Sequence, residues 1–219
     1  MNSVSEKRRE AILLLGPTGC GKTPLGAYLE RKGFEDRRCI HFDFGSELRR
    51  ISGGGRVPGS LSRMELRIIE HALKSGALLE NESFYVAARI FDAFVRRRHV
   101  GERDVLVLNG LPRHLGQAAD MDRLADIVRV IFLDCLPGVL AERIARNSGG
   151  DRTERKDDSP SAIACKLKIY QDRTIPLLDY YRRRRTPVHR VVVGVDTRPR
   201  DILQNIAGTG ESPDAEEIP

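Results

Sequence analysis

Residues 16–23 read GPTGCGKT, and this octet constrains the fold more than any other stretch of the chain. Glycine alone adopts positive φ without steric penalty. Gly16, Gly19 and Gly21 therefore let successive backbone N–H groups turn inward toward one anion. The apolar run Ala11 to Leu15 precedes the octet and reads as a buried strand; Leu25, Tyr28 and Leu29 follow it at helical spacing. Strand, glycine loop and helix N-terminus together form a phosphate cradle, because the helix dipole adds to the N–H donors. The pattern G-x-x-x-x-G-K-[ST] is matched in full. Gly16, Pro17, Thr18, Gly19, Cys20 and Gly21 would wrap a polyphosphate, Lys22 would place its charge between the β- and γ-phosphates, and Thr23 would offer a hydroxyl to Mg²⁺. The octet implies that the chain binds a nucleoside triphosphate.

The rest of the chain alternates in a way that suits this cradle. Strands are expected at 11–15, 39–44, 104–109, 127–134 and 189–195, with helical patterns between them, which predicts an α/β domain around a five-stranded parallel sheet. Residues 62–75 carry Leu66, Ile69 and Leu73 on one face, and residues 81–98 carry Phe84, Ala88, Phe91 and Val95. The stretch 160–183 aligns Ile163, Leu167, Tyr170, Thr174, Leu177 and Tyr181, with a kink expected at Pro176, which lacks a backbone donor. Two glycine-bearing segments, SGGGRVPGS at 52–60 and NSGGDRTERKDD at 147–158, interrupt the pattern; the second reads as a lid.

Composition removes several other classes. At 219 residues with 40 % hydrophobic content, one domain with small insertions is expected. The apolar runs are too short for a membrane span, and the polar start MNSVSEKRRE lacks the apolar core of a secretory signal. Cys20, Cys39, Cys135 and Cys165 form no C-x-x-C pair, so neither zinc nor a disulfide framework is implied, and a cytoplasmic location is expected. The five histidines share no ligand spacing and read as structural. The net charge of +6 includes arginine runs at 96–98 and 182–185. Both close helical patterns without interleaved aromatics, so they read as solvated faces rather than a nucleic-acid surface. The acidic GTGESPDAEEIP end reads as a disordered tail, 209–219.

The acceptor must be read from outside the loop. A phosphate acceptor needs cations that hold it against the repulsion of the polyphosphate, and guanidinium forks suit phosphate oxygens. Arg49 follows the second strand, and Arg113 lies just past the third, on the ligand side of the sheet. Arg143 and Arg146 sit one helical turn apart near the lid, while Arg152 and Arg155 lie within it.

At these residues the chain resembles the adenylate kinase family of nucleoside monophosphate kinases, from about Ile12 to about Ile206. NGLPR at 109–113 is similar to the family's D-G-F-P-R segment, with Gln117 four residues after Arg113 as in the adenylate-specific members. RKDD at 155–158 with IYQDRTIPLLDYY, and SGALLENE at 75–82, look like the family's segments after the lid and behind the monophosphate base. The resemblance implies transfer from ATP·Mg²⁺ to a nucleoside monophosphate, AMP foremost, by a monomer. It implies a kinase-like domain over 1–208, with a monophosphate-binding insert at about 45–80 and a lid at about 147–158. Lys22, Arg113, Arg143 and Arg155 would act on the transferring group. Gly45, Arg49, Leu79, Gly110, Arg113, Gln117 and Lys166 would bind the acceptor.

Three departures qualify that picture. The usual S-T-G-D segment is DFGS here, with Asp43 and Phe44 in place of serine and threonine. The aspartate that opens D-G-F-P-R and orients the metal's waters is Asn109. Thr23 follows Lys22 directly. The metal site is therefore expected to comprise Thr23, Asn109 and Asp43, with Asp43 supplying the charge that Asn109 lacks. Two alternatives stay open: a kinase of a small hydroxyl acceptor with Asp43 as base, and a nucleotide-binding protein without turnover.

Overall fold

A computed structural model describes residues 8–55, 61–152 and 159–208. Five strands form one sheet: β1 (Arg9–Leu15), β2 (Cys39–Asp43), β3 (Val105–Asn109), β4 (Ala125–Asp134) and β5 (Val188–Val192). Every pairing is parallel, in the order β2-β3-β1-β4-β5. Parallel strands covered on both faces need apolar side chains on both; Ala11 to Leu15 and Val105 to Asn109 are buried without a break. All five expected strands are present, with ends shifted by up to three residues.

Helices cover both faces, and the two buried clusters lie on opposite sides of β1. Leu13, Phe42, Phe91 and Leu108 belong to one, and Ile12, Leu14, Leu25 and Val107 to the other. This is the alternation that a strand imposes on consecutive side chains. Helix α1 (Lys22–Lys32) packs closely on β2, because Gly26 leaves room for the His41 ring; a Cβ there would lie 2.3 Å from His41 Nε2. Burial holds the His41 imidazole pKa below its usual value. Helix α2 (Phe44–Ser52) begins on Asp43, whose side chain accepts from Ser46 N. Helix α3 (Arg63–Ser75) begins on a full capping box between Ser62 and Glu65. In contrast, α1 begins on Gly21 in a left-handed conformation, with no side-chain cap and no acidic residue in its first turn.

Helix α4 (Phe84–Arg97) buries a broader face than its expected stripe, including Val86, Ile90 and Phe94. Its terminal arginines are not simply solvated. Arg97 pairs with Glu47 at 2.6 Å and Arg98 with Glu30 at 2.5 Å, tying α4 to α2 and α1. Then come α5 (Leu115–Met121), α6 (Pro137–Ala145), α7 (Pro160–Ile169), α8 (Pro176–Arg183) and α9 (Pro199–Gly208). The stretch expected as one helix kinked at Pro176 is α7 and α8 joined by a π-helical turn, Tyr170–Thr174. Ile175 N donates to Tyr170 O at 3.0 Å, a five-residue spacing, so the register widens just before the proline. Of the expected insert, α2 and α3 are described; Arg155, most of the lid and the acidic tail lie outside the described residues. Among the described residues, no helix is long and apolar enough to cross a membrane.

Candidate active site

A cleft opens at the carboxyl ends of β1, β2 and β3. That edge is where open α/β sheets bind ligands, since loops diverge there from adjacent strands. On one wall lies the glycine loop. Gly16, Gly19 and Gly21 take φ of 148°, 87° and 105°, the left-handed side that the cradle requires. The Lys22 ammonium donates to Gly16 O and Pro17 O, each at 2.6 Å, and so lies folded across the loop. Cys20 is fully buried and Pro17 is buried as well. Of the octet, their side chains alone do not line the cleft; Pro17 offers its carbonyl to Lys22, and Cys20 Sγ lies 3.6 Å from the Lys22 ammonium.

The floor joins three strand ends. Asp43 and Asn109 are register partners across β2 and β3, and Leu14 of β1 is Asn109's partner on the other side. Thr23 Oγ1 donates to Asp43 Oδ2 at 2.9 Å. Asn109 Nδ2 donates to the same oxygen at 2.8 Å and to Thr23 Oγ1 at 3.1 Å. Asp43 Oδ1 accepts from Ser46 N at 2.8 Å. The three expected metal residues therefore meet at one point. Their donor set is a hydroxyl, an amide and one carboxylate, which fits a hard cation that keeps its waters and takes phosphate oxygens. Among the described residues no cluster of three His, Cys, Asp or Glu forms a self-sufficient cage.

The opposite wall carries the expected acceptor residues. Gly45, Arg49, Leu79, Gly110, Arg113, Gln117 and Lys166 all line the same cleft. Desolvation pulls the Arg113 guanidinium pKa down to about 10, and among the described residues no carboxylate offsets it. It stays protonated at neutral pH, a half-buried cation on the cleft wall with no counter-ion among the described residues. Gln117 is not a surface residue: it is 1 % exposed. Its Oε1 accepts from Arg113 N at 2.8 Å and its Nε2 donates to Leu79 O at 2.7 Å. His114 caps α5 and places Nε2 3.1 Å from the same Leu79 carbonyl, with Nδ1 accepting from Gln117 N. A carbonyl only accepts, so Nε2 carries the proton.

Arg143 lies against the glycine loop. It is buried; its Nε donates to Gly19 O at 3.4 Å and its Nη1 to Gly194 O at 2.6 Å, Val195 O at 2.9 Å and Thr197 O at 3.3 Å. It lines an adjoining cavity beside Gly21, with Pro24, Val195 and Ile202. The reason is tertiary: the loop after β5 turns several carbonyls to one point, and a forked donor satisfies them together. Sequence reasoning missed this loop because neither charge nor periodicity marks it. Arg146 pairs with Glu142 on its own helix.

No family model matches the chain. It is 30 % identical over 183 residues to an adenylate kinase of Prochlorococcus marinus, covering 80 % of this chain and 86 % of that protein. Adenylate kinases of Xylella fastidiosa (29 % over 181 residues; 79 % and 86 %) and Stenotrophomonas maltophilia (28 % over 182 residues; 80 % and 87 %) are similar to it. Among solved structures, a gluconokinase from Sinorhizobium meliloti 1021 covers 92 % of this chain and 94 % of its own at 20 % identity, with a TM-score of 0.48.

Proposed function

The chain belongs to the adenylate kinase family, and from that premise we propose that it transfers the γ-phosphoryl group of ATP to a nucleoside monophosphate, AMP in the first place, giving two diphosphates. The observation that carries this reading is Arg113, a half-buried cation without a carboxylate neighbour among the described residues, in one cleft with a glycine loop. A phosphate dianion completes such a site; a neutral hydroxyl compound leaves the charge unanswered.

In this reading the loop N–H groups and Lys22 hold the donor polyphosphate, and Lys22 leaves the loop carbonyls to follow the transferring group. Arg113 and Arg49 hold the acceptor phosphate in line with it, and Lys166 adds charge from α7. Arg155 stays a proposal from the resemblance alone. Arg143 is reassigned to the donor's base, since the cavity it lines adjoins Gly21 and presents Val195, Ile202 and a row of carbonyls. Leu79 and Gln117 border the acceptor's base; Gln117 keeps one amide hydrogen and one lone pair beyond its two bonds, enough to read adenine's edge. Thr23 and Asp43 would hold Mg²⁺, with Asn109 contacting its waters. Bound there, the ion supplies neutralisation of the charge on the phosphate oxygens.

The competing assignment of Asp43 as base for a hydroxyl acceptor is weaker. Its two oxygens already accept from Thr23, Asn109 and Ser46, which leaves it poorly placed to take a further proton. An acceptor screen with ATP, followed by ³¹P NMR, tests the reading. Diphosphate formation from AMP is expected. Transfer to polyols or hydroxy acids instead, or ATP binding without transfer to any acceptor, would overturn it.

A further inference from the structure

A long side chain reaches a fixed point only if its own backbone is fixed, and Arg113 is held on both sides. Its N–H donates to Gln117 Oε1, and its carbonyl accepts from Thr174 Oγ1 at 2.8 Å. Thr174 is buried and lines the cleft, but it comes from the far end of the α7 segment. How it gets there depends on the π turn. In an uninterrupted α-helix, residues four apart drift by about 40° per step, so Lys166, Tyr170 and Thr174 would fan out by about 80°. Here the wide turn over Tyr170–Thr174 takes in an extra residue, and all three side chains line the one cleft. Pro176, with no N–H to give, begins the next helix immediately afterwards. The π turn thus rotates a hydroxyl onto the carbonyl of the arginine that most needs aiming.

We propose that Thr174, turned inward by the π-helical turn, is a positioning residue that sets the reach of Arg113 toward the acceptor phosphate. The proposal rests on the reading of Arg113 as the acceptor-phosphate ligand. It separates Thr174 from an ordinary buried hydrogen bond: a merely structural hydroxyl would influence stability, whereas a positioning one influences one substrate and not the other.

The test measures AMP and ATP binding separately by calorimetry, with KM for each, in wild type, Thr174→Val and Thr174→Ser. Valine keeps the shape and removes the donor, leaving the Arg113 carbonyl unanswered. About a tenfold weakening of AMP is expected, with ATP binding nearly unchanged, and serine should restore AMP binding because it keeps the hydroxyl. Should the valine variant fold poorly by circular dichroism, Thr174→Ala is read in the same way. Equal loss for AMP and ATP, no loss for either, or a serine variant as weak as valine would overturn the positioning role. A wild-type protein that binds ATP but no nucleoside monophosphate would instead overturn the acceptor reading itself, and the proposal with it.

Discussion

The two walls of the cleft are built by opposite means. The donor wall is eight consecutive residues, Gly16 to Thr23, whose chemistry comes largely from the backbone. The acceptor wall gathers residues from Gly45 to Thr174, and the backbone of its central arginine is held by Gln117 of α5 and Thr174 of the π turn. A backbone cradle is specified locally: given the glycines, the strand before and the helix after, it forms. An aimed side chain is specified by distant contacts, so it is more easily detuned without unfolding the protein. Substitutions on the donor wall should therefore abolish transfer with any acceptor, and those on the acceptor wall should grade it.

The sharpest way to break that contrast is Lys22→Ala. On the proposed reading, removing the Lys22 ammonium should lower kcat by about 10²–10³-fold with every acceptor, while circular dichroism and the melting temperature stay near wild type. Turnover close to wild type in a folded variant would take the donor wall out of the chemistry.

The floor between the walls gives an intermediate effect. Asp43→Asn should weaken Mn²⁺ binding in the presence of ATP, followed by electron paramagnetic resonance, by about tenfold. Asn109→Asp should change it little, because Asp43 already supplies the carboxylate and a second one beside it would be repelled. Were Asp43→Asn indistinguishable from wild type, Asp43 would be only the cap of α2, where it accepts from Ser46 N.

Gln117→Ala should have the smallest effect, between about threefold and tenfold on AMP binding, with less on CMP and almost none on ATP. Equal weakening of AMP and CMP would leave Gln117 as a brace between Arg113 and Leu79, with the base read elsewhere.

The same contrast decides what could be read in the sequence. The sheet was legible because parallel strands buried on both faces leave short apolar runs, as in AILLL and VLVLN. The glycine loop was legible because its residue types and spacing are the mechanism. Helix α5 was not, being seven residues with no apolar stripe. Pro176 signalled a disturbance, but the register widens upstream of it, where no residue type marks a π turn. Arg143 carried the right charge at the right helix end, yet its direction is decided by carbonyls fifty residues further along the chain. The arginine runs read as solvated from their place at helix ends without interleaved aromatics; Arg97 and Arg98 find Glu47 and Glu30 only because the fold brings α1, α2 and α4 together. Residue chemistry and local pattern were readable, while direction was not, since direction is a property of tertiary contacts.

The bare start of α1 has a consequence for the protein's own persistence. Where α2 and α3 carry their own caps, α1 opens on Gly21 with its first N–H groups uncapped by any side chain. An anion bound at the loop finishes that helix in the way a serine or aspartate finishes the others. A ligand that binds only the folded chain adds about 2.7 kcal/mol to its stability at a hundredfold excess over its dissociation constant. A nucleotide bound there would therefore raise the melting temperature of the protein, and the chain without it would be the more open to proteolysis.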